Sequence, residues 1–81
     1  MDEVLRQVIT ENECLVATGL DHAIMGVTAG PNVRVVYSCA ALIQRWMLDG
    51  WESEEAIEHL HYNVIGSVPG LDNAPIFLDD L

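Results

Sequence analysis

Lysine is absent from this chain, and only three arginines, Arg6, Arg34 and Arg45, stand against 13 aspartates and glutamates. The formal net charge of -10 repels a phosphate backbone at long range, which argues against direct nucleic-acid binding. It disfavours anionic membrane surfaces for the same reason. Without lysine there is no P-loop, and Gly19, Gly26 and Gly30 do not match the G-x-G-x-x-G phosphate cradle. The two cysteines, Cys14 and Cys39, are too few for a disulfide framework and are expected to stay reduced, Cys39 as a small core residue. No apolar run reaches the roughly 18 residues of a membrane span. The opening "MDEVLRQVIT" is charged and amphipathic, unlike a signal peptide, so a cytoplasmic location is expected. No motif calls for a cofactor.

What is present is apolar and short. Hydrophobic residues make up 51% of the 81 residues, which predicts a single folded domain over 1–81 with a thin core. Chains of this size often add a staple, and a homodimer interface is one such device. The acidic excess keeps an apolar chain soluble, is compatible with a high-salt setting, and favours a basic partner, such as a protein whose nucleic-acid groove is lined with Lys and Arg.

Periodicity predicts the elements. Asp2 caps a first helix whose face is Val4, Leu5, Val8 and Ile9, with Asn12 as a left-handed stop. "CLVATGL" is compatible with a short strand. "HAIMGVT" and "VRVVYS" read as strands joined by the turn residues "AGPN", with Gly26 marking a bulge and with Val33, Val35 and Tyr37 on one side of the second strand. Ser38 caps a helix with Cys39, Leu42, Ile43, Trp46 and Met47 on its apolar face and Gly50 at its end. Ser53 caps the next helix, which runs to about Ile65 with Ala56, Ile57, Leu60, His61 and Val64 inward, and Trp51 folds back on Ile57. "PIFL", opened by Pro75, reads as an edge strand, and 78–81 as a loose tail. The order α-(β)-β-β-α-α-β implies an α+β fold: a small antiparallel sheet of three to four strands with helices on one face.

The segment "WESEEAIEHLHYN" is dense in ligand-type residues, yet its spacing argues against chemistry. His59 and His61 are two apart and do not share a helix face, and Glu58 with His61 has no matching carboxylates on other helices to complete a metal site. Glu54 and Glu58 are exposed like charges rather than a tuned acid–base pair, and no nucleophile signature occurs. Neither a catalytic nor a metal-binding residue is predicted. His61, toward the apolar face, and Asn63, toward the following loop, read as structural. What is left is an acidic surface: Asp49, Glu52, Glu54, Glu55 and Glu58 around one helix start, beside Tyr62.

"GLDHAIMGV", "VVYS" and "LIQRWMLDGWESEEAIEHLHYNVIGSVPGLDNAPIFL" together resemble a family of small uncharacterised proteins of bacteriophages and bacteria, which carry a "DDAIIGV"-like strand and an "EEAIEYFEYNVIGAYVGE-TPIF"-like ending. The likeness spans roughly Gly19 to Leu78 and departs at His22 and in "SVPGLDNAP". It implies a phage or mobile-element setting rather than a mechanism. With the charge, it leads to an expected function: binding and inhibiting a basic host protein of nucleic-acid handling or anti-phage defence through Asp49, Glu52, Glu54, Glu55, Glu58 and Tyr62. A different expectation is an oligomeric nucleotide-sequestering protein, with Arg34 and Arg45 on phosphate and Tyr37 or Trp46 stacked on the base. A third is a structural or accessory phage protein that self-associates.

Overall fold

The computed structural model describes residues 2–68 and 70–81. Three α-helices and a three-stranded sheet make an α+β domain: α1 (Glu3–Glu11), β1 (Ile24–Val27), β2 (Val35–Ser38), α2 (Cys39–Leu48), α3 (Ser53–His59) and β3 (Ile76–Leu78). β2 is central, antiparallel to β1 and parallel to β3, so the sheet is mixed where an antiparallel one is expected from the sequence. The reason is the connection. Both α2 and α3 lie between β2 and β3, and a crossover of that length returns the chain in the same direction.

The helices stop where backbone chemistry stops them. Asp2 accepts from the Val4 N–H at 2.7 Å and starts α1. At its end the Glu13 N–H donates to Thr10 and the Cys14 N–H to Ile9, and it is Glu13, at φ 51, that takes the left-handed turn, not Asn12. Asn12 instead donates its side-chain amide to the Val8 carbonyl at 2.8 Å. Ser38 caps α2 as expected, accepting from the Ala41 N–H. α2 ends in the same Schellman geometry: the Gly50 N–H donates to Met47 and the Trp51 N–H to Trp46, with Gly50 at φ 102. For α3 the cap is Glu52, one residue before the expected Ser53, and the Glu55 carboxylate accepts from the Glu52 backbone N–H at 3.2 Å.

The helix begun at Ser53 does not run on regularly to Ile65. After His59 it widens into a π-turn over Leu60–Val64 and tightens into a 3-10 turn over Ile65–Ser67. The expected strand in "CLVATGL" is absent. Its backbone is held by other partners: the Leu15 N–H donates to the Asn73 carbonyl, and the Ala17 N–H donates to the Tyr37 hydroxyl at 2.8 Å. The first strand begins later than expected, because Asp21–Ala23 form a 3-10 turn. Gly26 does sit at a register shift in β1, as a bulge requires.

The core contains Ile9, Ala23, Val35, Tyr37, Cys39, Leu42, Ile43, Ala56 and Leu60. Phe77 of β3 stacks on Tyr37 with centroids 5.3 Å apart. Val4, Met47 and Ile57, assigned to apolar faces from spacing, are exposed, because the thin sheet layer covers only part of each helix. The tail is not loose. Asp80 accepts from the Ser38 hydroxyl at 2.5 Å and from the Ala40 N–H at 2.8 Å, which ties the C-terminus to the start of α2.

Candidate protein-binding site

The Schellman turn that ends α2 also builds the site. That geometry brings the side chain three residues inside the helix end against the one just past the turn, here Trp46 and Trp51. Their rings stack with centroids 5.9 Å apart. His59, at the end of α3, packs edge-on against both, 4.7 Å from Trp46 and 4.9 Å from Trp51. Asn63 lies one turn further on, its amide nitrogen 3.3 Å from His59 Nδ1. Trp51 therefore packs on a tryptophan and a histidine. His61, expected toward the apolar side, is exposed, and His59 is the half-buried histidine.

Two grooves flank this cluster. A shallow one of about 300 Å³ is lined by Trp51, Glu55, Glu58, His59, Tyr62 and Asn63. Glu55, Glu58 and Tyr62 recur at three- and four-residue spacing and so form one stripe. Tyr62 is 78% exposed, an aromatic side chain that adds almost nothing to the core. A larger groove of about 530 Å³ lies on the other side of His59 and Asn63, between the Leu15–Leu20 segment, Trp46, the π-turn and Phe77. Among the described residues no Asp, Glu, Lys or Arg lines it.

Of the partner-binding residues singled out from sequence, Glu55, Glu58 and Tyr62 come together in the shallow groove. Glu54 is exposed outside that lining, Glu52 serves as the α3 cap, and Asp49 lies 3.8 Å from the Arg45 guanidinium. The four residues of the nucleotide reading are not brought to one place. Tyr37 is fully buried and its hydroxyl is engaged by Ala17, so its ring offers no free face to a base. Arg34 donates to the Asp72 and Leu71 carbonyls at 2.9 Å each, and Arg45 faces Asp49. Trp46 and Arg34 line separate grooves, Arg34 with Pro31, Asn32 and Asp72, and among the described residues no arginine lines the groove of Trp46.

The titration shifts belong to the scaffold. Burial pushes the Tyr37 hydroxyl up, and burial pushes both Cys14 and Cys39 up, which makes neither thiol a ready nucleophile. The Ser38 hydroxyl, then the Ala40 N–H, hold the Asp80 carboxyl below its ordinary range. Among the described residues no group of three His, Cys, Asp or Glu side chains is placed to hold a metal ion, and no helix is long and apolar enough to cross a membrane.

Trp51, His59 and Asn63 are site residues that periodicity alone misses. Trp51 had a legible signal, the spacing Trp46, Gly50, Trp51 that a Schellman turn requires. His59 and Asn63 had none, since the π-turn that orients them leaves no mark in the hydrophobic pattern. No family model, curated protein or solved structure matches the chain.

Proposed function

We propose that this protein acts by docking and not by catalysis, and that its partner is a protein with an arginine- or lysine-rich surface. The carrying observation is the shallow groove lined by two carboxylates, Glu55 and Glu58, together with two exposed aromatic rings, Trp51 and Tyr62, and, among the described residues, by no lysine or arginine. Carboxylates beside aromatic faces suit cationic side chains, and exposed aromatics are the residues that dominate binding energy at interfaces. Asp49, Glu52 and Glu54 lie around the same helix start and extend the negative field, which speeds encounter and makes it salt-sensitive. The charge of -10 supports the same direction. The resemblance to phage and bacterial proteins suggests a host nucleic-acid-handling or defence protein as the target, inhibited by occlusion of its basic groove.

The test is charge reversal. Glu54→Lys and Glu58→Lys combined with Glu55→Gln, which keeps the acceptor for the Glu52 N–H, should abolish binding to an immobilised arginine-rich peptide while the far-UV circular dichroism spectrum is unchanged. Wild-type binding should weaken steadily as salt rises. Undiminished binding by the folded triple variant sinks the acidic-face reading.

A further inference from the structure

The larger groove is not used by that reading, although it shares a wall with the acidic one. His59 and Asn63 line both. The π-turn contributes Asn63 to this wall and Val64 to the larger groove, and π-turns inside helices occur frequently at functional sites. The two sides of the wall differ in chemistry. One presents Glu55, Glu58, Trp51 and Tyr62. The other presents Val16, Leu20, Trp46, Val64 and Phe77 and, among the described residues, no Asp, Glu, Lys or Arg.

We propose that the two grooves form a single bipartite site, which takes an arginine and a nearby bulky apolar residue from one basic segment of the partner. This rests on the docking reading and deepens it by naming what the segment must carry. Arginine fits the acidic half better than lysine. Its planar guanidinium can lie on the Trp51 or Tyr62 face and still donate to a carboxylate, whereas a compact ammonium is more strongly hydrated and gains less from a ring. The larger half disfavours a phosphate or a carboxylate, since among its described lining residues there is no lysine or arginine to pair with a charge taken out of water. It accepts an aliphatic or aromatic side chain, and at about 530 Å³ it is within the roughly 300–1,000 Å³ size range of ligand clefts. Charge complementarity at the acidic half selects the occupant: a segment held there by its arginine has its neighbours at the mouth of the apolar half.

The experiment uses the intact protein and the fluorescence of its two tryptophans, Trp46 and Trp51, both in the shared cluster. The probes are basic peptides of equal net charge with one arginine and a leucine placed one to four residues away. At the best spacing, replacing the leucine by alanine should weaken binding about tenfold, the order expected for losing one buried aliphatic side chain. Replacing the arginine by lysine should weaken it severalfold. Thr18→Trp, at an exposed turn on the rim of the larger groove, should plug that groove and make the leucine and alanine peptides bind alike. If wild-type protein binds both peptides equally at every spacing, and binding still falls with salt, the bipartite site is wrong and the acidic docking face stands. If no peptide binds at low salt, both readings fall. If free indole or leucine amide binds Trp46 with no preference among peptides, the groove is a small-molecule site and the inference is overturned.

Discussion

Tyr37 shows how far one residue can be read in advance. Alternation along "VRVVYS" puts it on one side with Val33 and Val35, and the structure buries that side at Val35 and Tyr37. What alternation does not convey is its hydroxyl, which accepts from the Ala17 N–H and holds a strandless segment against the sheet. Tyr37→Phe leaves that N–H without its partner, so we expect a loss of about 1–2 kcal/mol in urea unfolding, with the fold retained. Asp80 is a second case. A tail of polar residues reads as loose, but its carboxylate accepts from Ser38 and Ala40 and is held below the ordinary value of 3.8. Because the folded pKa is depressed, the stabilisation is present above the ordinary pKa. It is lost as pH falls below about 4 through the folded value. Asp80→Asn should lower Tm at pH 7 and flatten the fall in Tm between pH 4 and pH 2. An unchanged acid limb would mean that the contact does not contribute in solution.

Elements were legible where the local signal and the packing agree. Ser38, Gly50 and the apolar spacing between them define α2, and the structure keeps both ends and buries Cys39, Leu42 and Ile43 of the apolar face, leaving Met47 exposed. The caps one step removed were harder. Glu13 takes a left-handed conformation that costs a residue with a Cβ roughly 1–2 kcal/mol, and Glu13→Gly should therefore raise stability by about 0.5–1 kcal/mol in urea. Gly50, with φ 102, should lose a similar amount as Gly50→Ala, with the added effect of loosening Trp51 from Trp46. A red shift of tryptophan emission in that variant would register the loosening. The π-turn over Leu60–Val64 had no signal, since Leu60 and Val64 are four apart and read as an unbroken α-helix. The wider turn shows only in the folded backbone over Leu60–Val64.

For the whole molecule, the prediction concerns field and face together. Neutralising Glu55 and Glu58 as glutamines should reduce association with an arginine-rich peptide and its salt dependence, with little change in stability, because both side chains are exposed. Stopped-flow association at two salt concentrations checks it; equal slopes for wild type and variant would place the interaction elsewhere. The sequence by itself determined the fold class, the negative field, the helix starts at Asp2 and Ser38 and the sheet's inward residues, because these depend on charge count, on period and on chemistry within a turn of the chain. Only the tertiary structure decided the parallel pairing of β3, the anchored tail and the meeting of Trp46, Trp51, His59 and Asn63 between two grooves. Each of those depends on residues far apart in sequence competing for the same space, and a one-dimensional pattern carries no record of which contact wins.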